Sequence, residues 1–137
     1  MQGEAANVVR AFENHSLPLE VWRKHATHVL VSTWYLVHLP EAEAIERIRS
    51  GIQRYNASHG IAATPTSGYH ETVTVAFIRL IQRELARAPA DTTFADRVGR
   101  IQARLTGTRV LLEHYTEATL MSLRARREWV EPDLRPF

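Results

Sequence analysis

The chain has 137 residues, 45% of them hydrophobic and 23% charged, which is the size and composition of a globular domain with a buried core. It contains no cysteine, and this excludes disulfides, thiolate-bound zinc, iron–sulfur clusters and a cysteine nucleophile. Its 17 basic and 15 acidic side chains give a formal charge of +2, and acidic residues are interleaved with the arginines of the last third. Nucleic-acid binding therefore ranks last among the functions we consider.

Nothing in the sequence predicts export or membrane insertion. Residues 1–14 contain charged side chains and no apolar core, so they do not have the pattern of a secretory signal. The longest apolar stretch, residues 29–37, is interrupted by Ser32 and Thr33 and is shorter than the ~20 residues that a membrane span needs. We expect a soluble, cytoplasmic protein.

The spacing of prolines, glycines and apolar residues predicts helices in almost every part of the chain. The first predicted helix begins at Ser16, has Pro18 in its first turn and ends near His38. It is apolar on two sides, which is typical of a helix at the centre of a bundle. The second predicted helix begins at Pro40, carries acidic residues in its first turn and ends where Gly60 can adopt the left-handed conformation.

A loop over residues 61–68 is predicted to lead into the third helix, residues 69–87. The β-branched residues at positions 72–75 would also suit a strand. Regular steps of three and four residues between the apolar side chains of this segment favour a helix instead.

The last third of the chain is also predicted to be helical. The fourth helix is expected after residues 91–93 and the fifth over residues 108–121, and Ser122 is the predicted cap of a short final helix that contains Trp129. The expected fold is an all-α bundle of four to five helices. It forms one helical domain over residues 1–137, with a long loop between the second and third helices.

A constellation of histidines is the most informative chemical feature. Trp22, His25 and His28 lie on one face of the first predicted helix, because steps of three residues place side chains on adjacent turns. His70 and Glu71 add a third imidazole and a carboxylate where the loop enters the third helix. If these helices pack together, His25, His28 and His70 form a three-nitrogen metal site with an open position for chemistry.

The other candidate site residues surround this predicted metal. Glu71 is a candidate fourth ligand or general base, and Tyr69 is the second catalytic candidate beside it. Tyr55 and Asn56, at the end of the second helix, are candidates for binding substrate together with Trp22. Nitrogen and oxygen ligands would suit a divalent transition metal, namely iron, copper, zinc, nickel or manganese.

Each candidate also has a structural alternative. The histidines on the apolar face can be buried side chains that hydrogen bond to a carboxylate or carbonyl. Glu71 can be an acid that complements the dipole at a helix start. The roles of His59 and His114 stay open.

Four motifs occur in the order WxxHxxH (residues 22–28), YN (55–56), GYHET (68–72) and EPDL (131–134). This order resembles a family of small bacterial proteins of unknown function. The resemblance implies that the first and third motifs belong to one pattern and that the closing segment folds back onto the bundle; it implies no activity. Where that pattern has an asparagine before a threonine in the loop, this chain has alanine at position 63. A looser similarity connects a three-histidine helical bundle with the metal-binding DinB-like bundles.

Two functional predictions follow from the sequence. The first is a small metalloenzyme that oxidises or hydrolyses a small-molecule substrate at a metal held by His25, His28 and His70. The second is a non-enzymatic module without metal, which binds a ligand or a protein partner. Exposed aromatic side chains at Trp129 and Phe137 would favour the second prediction, as would pairing of the first helix with a second copy in a homodimer.

Overall fold

The computed structural model describes residues 2–137, and the regular secondary structure of this part of the chain is helical throughout, which confirms the all-α prediction. Eight α-helices and one 3₁₀ helix follow in the order α1 (Gln2–Glu13), α2 (Leu19–Trp22), α3 (His25–His38), α4 (Glu41–Ser58), α5 (Glu71–Arg87), α6 (Phe94–Arg104), the 3₁₀ helix (Thr108–Glu113), α7 (Glu117–Leu120) and α8 (Leu123–Arg127). No helix of the described chain is long and apolar enough to cross a membrane.

The first predicted helix is in fact two helices, α2 and α3, which meet at an extended residue, Lys24 (ψ 127°). The break frees the backbone carbonyl of Trp22 from the helical pattern. The imidazole of His28 donates a hydrogen bond to this carbonyl, with 2.7 Å between His28 Nε2 and Trp22 O. A single helix from Ser16 to His38 was therefore wrong, because a contact between a side chain and the backbone replaces one turn of helix.

Helix α1 was missing from the sequence analysis, which assigned no helix to residues 1–14. Its buried side chains, Ala5, Val9 and Phe12, recur at steps of four and three residues along one face. The Phe12 ring is fully buried and stacks on Trp22, with 4.7 Å between ring centroids. Gly51 of α4 makes room for it, because a Cβ atom at this position would lie 2.6 Å from Phe12 Cε2.

The predictions for the next three helices agree with the structure. Helix α4 follows Pro40 directly, and Gly60 beyond its end has a φ of 70° in the left-handed region. The loop predicted over residues 61–68 extends to residue 70, and α5 is a helix despite its β-branched start. Thr93 caps α6 by accepting a hydrogen bond from the backbone N–H of Asp96.

The predicted fifth helix, residues 108–121, was wrong, since a 3₁₀ helix and the short α7 replace it. Asp133 explains the interruption: its carboxylate accepts hydrogen bonds from the backbone N–H and the hydroxyl of Thr116, at 2.8 and 2.7 Å. The closing segment thus folds back onto the bundle. The predicted final helix forms as α8, capped by Ser122, but it ends at Arg127 and does not include Trp129.

Two main clusters of buried apolar side chains form the core. One cluster joins the helices α1, α2, α3 and α4 and is centred on Phe12, Trp22 and Tyr55. The other joins α3, α5, α6 and the closing segment around Leu80 and Tyr115. Helix α3 contributes to both clusters and contacts α1, α2, α4, α5 and α6, which confirms its predicted central position. Side chains of α4 and α5 also line the cavities described below.

Candidate functional site

His28 is a neutral, stacked side chain. Its ring lies on the Trp22 indole with 3.8 Å between centroids, and its Nε2–H donates to the Trp22 carbonyl. Burial is the main cause that lowers the pKa of His28 to about 4, so the ring is uncharged near neutral pH. Because the proton is on Nε2, Nδ1 is a hydrogen-bond acceptor, and no partner for it occurs within residues 2–137.

His70 uses both ring nitrogens to hold the fold together. Nδ1 accepts a hydrogen bond from the backbone N–H of Val73 at 3.1 Å and so caps α5, and Nε2–H donates to the Leu120 carbonyl at 2.8 Å. Burial lowers the pKa of His70, although the Leu120 carbonyl acts in the opposite direction. No ring lone pair of His70 is left for a metal.

His25 is the one predicted ligand with an unused buried atom. Its Nε2 is buried without a hydrogen-bond partner, and its ring packs on Phe77 with 4.8 Å between centroids. Burial lowers the pKa of His25, and the backbone of Leu105 partly offsets this effect by raising the pKa. His25 and His28 both line a space of about 240 Å³ between α3, α4 and α5, which we call the histidine cavity.

The three histidines do not fit a shared metal ion in this arrangement. Within residues 2–137 no group of three or more His, Asp or Glu side chains is placed to hold one. The structural alternative of the sequence analysis, a buried histidine that hydrogen bonds to a carbonyl, describes His28 and His70. The three-histidine metal site stays a prediction from the sequence.

The capping role of His70 gives a stability prediction. A His70→Ala variant should lose about 2 kcal/mol of unfolding free energy, because a helix cap and one further hydrogen bond are each worth about 1 kcal/mol. Asparagine is a good N-cap but is too short to reach Leu120, so His70→Asn should lose about half as much. Denaturant titration of both variants measures the difference, and equal losses would rule out the capping role.

The predicted catalytic pair, Tyr69 and Glu71, is tied to an arginine of α4. Arg49 donates to both carboxylate oxygens of Glu71, from Nε at 3.0 Å and from Nη2 at 2.6 Å, and the Tyr69 hydroxyl donates to Oε1 at 2.5 Å. Burial alone would raise the pKa of Glu71, but the bonds from Arg49 and Tyr69 outweigh it and lower the pKa. Burial and the bond to Glu71 raise the pKa of the Tyr69 phenol. Neither group is tuned for proton transfer near neutral pH.

Of the predicted substrate-binding residues, Asn56 is the best placed to meet a ligand. Trp22 and Tyr55 belong to the core, and the Tyr55 hydroxyl donates a hydrogen bond to the Leu17 carbonyl at 2.7 Å. The Asn56 side chain is half-buried and borders two cavities. Asn56 thus keeps its predicted role as a candidate.

The remaining histidines with open roles lie elsewhere. His59 stacks on Tyr55, with 4.1 Å between centroids, and pairs with a backbone carbonyl of the α1–α2 connection. His114 is buried under Phe137, with 4.3 Å between centroids. Trp129 and Phe137 are half-buried against the core, so they do not form the exposed aromatic surface that would favour a protein partner.

A cavity of about 690 Å³ lies between α4, the 61–70 loop, the start of α5 and α8, and we call it the arginine cavity. Its charged and amide-bearing lining consists of Arg49, Gln53, Asn56, Glu71, Arg126 and Arg127. Arg49 and Glu71 neutralise one another as an ion pair. Two positive charges, those of Arg126 and Arg127, remain.

Arg126 and Arg127 lie in the last turn of α8, and neither has a carboxylate partner in the described chain. Arg126 Nη1 donates to the carbonyl oxygens of Gly68 and Tyr69, at 3.2 and 3.4 Å, while its Nε is buried without a partner. Gly68 permits this loop conformation, since its φ is 84° and a Cβ atom would lie 2.7 Å from Ala62 O. The sequence does not single out either arginine, because acidic residues are interleaved with the arginines of the last third.

A third space, about 310 Å³, lies between α2, α4 and α5, and we call it the middle cavity. It shares Asn56, Ile61 and Tyr69 with the arginine cavity. It also shares His28 and Val73, among others, with the histidine cavity. The three cavities are therefore neighbours in a row, with the arginines at one end and His25 at the other.

The site is thus an electropositive recess that adjoins mostly apolar spaces, and its one carboxylate is already paired. Such a surface can bind a negatively charged group through guanidinium N–H donors, which match the geometry of carboxylate and phosphate oxygens. No family model, no curated protein and no solved structure matches this chain.

Proposed function

We propose that this chain is a small-molecule binding protein that takes an organic anion in the arginine cavity. The observation that carries this proposal is the position of Arg126 and Arg127, which line the cavity without a carboxylate partner. A buried guanidinium N–H without a partner costs free energy, and Arg126 Nε is such a group. A bound carboxylate or phosphate would accept hydrogen bonds from the guanidinium groups that line the cavity.

The size of the cavity supports the same proposal. Its volume of about 690 Å³ lies within the range of roughly 300–1,000 Å³ that is typical of small-molecule pockets. Amide donors from Gln53 and Asn56 border it beside the guanidinium groups. Such amide groups orient a polar ligand without adding charge.

The protonation of the site favours binding over acid–base catalysis. Glu71 has a lowered pKa, and both of its carboxylate oxygens already accept hydrogen bonds from Arg49 or Tyr69, so it is a weak base. The raised pKa of Tyr69 keeps its phenol protonated. In this proposal both residues fix Arg49 and the cavity wall.

Two arginines of α8 allow a matched test. Arg127 and Arg124 are both exposed, but Arg127 lines the cavity whereas Arg124 pairs with Glu128 on the outer surface. Arg127→Gln should weaken butanoate binding about two- to fivefold, the effect of an ion pair worth roughly 0.5–1 kcal/mol. Arg124→Gln should leave it unchanged.

The measurement is an NMR titration of isotope-labelled protein at low ionic strength, with the neutral butanamide as the matched ligand. Butanoate should shift the amide signals of the 61–70 loop and α8, and added salt should weaken its binding. Equal binding of butanoate and butanamide would contradict the proposal. So would equal effects of the two arginine substitutions.

The metalloenzyme is the second candidate, and one observation favours it. His25 Nε2 is buried without a partner and lines the same cavity as His28, whose Nδ1 is an unused acceptor. Two imidazoles with water ligands would then hold the metal, while His70 remains the α5 cap. Stoichiometric zinc or copper in the purified protein, lost in a His25→Ala variant, supports this candidate; a metal-free protein unchanged by added metal contradicts it.

A further inference from the structure

The three neighbouring cavities differ in the chemistry of their walls. Around the arginine cavity the lining is charged and rich in hydrogen-bond donors. The lining of the middle cavity combines apolar side chains, among them Leu19, Ile52 and Val73, with polar ones such as His28 and His70 and with Arg23. Beyond it, the histidine cavity adds Ile48, Phe77 and other apolar side chains of the core edge. Three arginines and one glutamate thus lie at one end of the row, and in the described chain Arg23 is the one arginine that lines the other two cavities.

Tyr69, Asn56 and Ile61 form the boundary between the charged and the apolar part, because they line both the arginine and the middle cavity. Tyr69 is held in place by its hydroxyl bond to Glu71. A ligand whose anionic group meets the α8 arginines therefore has apolar side chains beside its remaining atoms.

His28 completes the apolar part without adding charge. It lines both the middle and the histidine cavity, and its neutral ring presents Nδ1 as an acceptor. Of the ionisable groups there, Arg23 borders both cavities from the connection between α2 and α3, and His25 and His70 border one cavity each. No Asp or Glu lines either cavity in the described chain.

From this arrangement, and resting on the proposed function, we infer that the ligand is an amphipathic anion, a carboxylate or phosphate that carries an alkyl chain. Its head group binds at Arg126 and Arg127, and its alkyl chain extends past Tyr69 into the middle cavity. The planar guanidinium fork suits a carboxylate or phosphate head group. The aliphatic walls suit an alkyl chain, because each methylene that leaves water contributes favourably to binding.

Chain length gives a direct test. Butanoate, hexanoate and octanoate, each below its micelle-forming concentration, are titrated into the protein by calorimetry or NMR. Affinity should rise up to about fourfold per added methylene, the factor that corresponds to ~0.8 kcal/mol of burial. Octyl phosphate is titrated as well, to distinguish a phosphate head group from a carboxylate one.

A blocking variant tests the route of the chain. Val73 is half-buried and lines both the middle and the histidine cavity, so Val73→Phe should remove the gain in affinity from added methylenes. Val37→Phe, at an exposed valine of α3, is the matched control and should keep the gain. In case Val73→Phe does not fold, the methyl signals of Ile52 and Val73 in the unaltered protein should shift with octanoate and not with butanoate.

The outcomes separate the inference from the proposed function. If butanoate binds at α8 but affinity stays flat along the series, the inference is overturned and the anion site stands. If no carboxylate binds, or if the neutral amides bind equally well, the proposed function fails and the inference fails with it.

Discussion

A Phe12→Ala substitution should lower the free energy of unfolding by about 3–5 kcal/mol, the cost of removing a buried aromatic ring from a core. The ring is fully buried, stacks on Trp22 and packs beside Tyr55, so it joins α1 to α2 and α4. Its loss leaves a void that the neighbouring aromatic rings cannot fill without moving. Thermal or denaturant unfolding measures the change.

Gly51 provides the matched control for this prediction. In the unaltered protein Gly51→Ala should destabilise, because the new Cβ would lie 2.6 Å from Phe12 Cε2. In the Phe12→Ala background the same substitution should stabilise, since the clash is gone and alanine is a better helix former by about 1 kcal/mol. Additive effects of the two substitutions would contradict the contact between α1 and α4.

The second large effect is a loss of stability in acid that depends on His28. Its pKa is about 4 in the folded protein and 6.5 in the unfolded chain, so between these pH values the unfolded chain binds the additional proton. The contribution to stability is complete above pH 6.5 and is lost as the pH falls towards 4. The difference between the two pKa values corresponds to about 3 kcal/mol.

His28→Gln removes the titratable ring, and the amide of the glutamine can still donate a hydrogen bond to the Trp22 carbonyl. Unfolding measured from pH 7 to pH 4 should show a smaller loss of stability in this variant than in the unaltered protein. Burial also lowers the pKa values of His25 and His70, so part of the loss remains. His38→Gln, at an exposed position, is the control. Parallel pH profiles for His28→Gln and the unaltered protein would contradict the account of His28.

The helices that the sequence predicted correctly are those with local end signals. Pro40 and Gly60 bracket α4, and Thr93 and Ser122 cap α6 and α8 through bonds that span only three residues. Such signals are readable because the partners are close in sequence. The spacing of Ala5, Val9 and Phe12 was an available signal for α1 that the sequence analysis did not use.

The breaks in the chain depend on contacts that sequence spacing does not show. Lys24 interrupts the α2–α3 segment without a proline or glycine, because the His28 side chain replaces a backbone bond. Near Thr116 the interruption depends on Asp133, 17 residues further along the chain. In both places a side chain competes with the helical hydrogen bonds, and the outcome is decided by the packed structure.

The candidate site was predictable in part. Asn56, Tyr69 and Glu71 do line one cavity, since the 61–70 loop brings the end of α4 to the start of α5. The partners of the histidines were not predictable, because helical spacing orders side chains on one helix and leaves their distances to other helices unspecified. The α8 arginines are candidates only in the folded structure, where α8 lies beside the 61–70 loop.

The central claim is that an organic anion binds at the α8 arginines. A crystal structure of the protein, from crystals grown in the presence of octanoate, tests this claim most directly. The account predicts the carboxylate within hydrogen-bond distance of the Arg126 and Arg127 guanidinium groups, with the alkyl chain beside Tyr69 and Val73. A carboxylate bound elsewhere, with the arginine cavity holding only water, would contradict it.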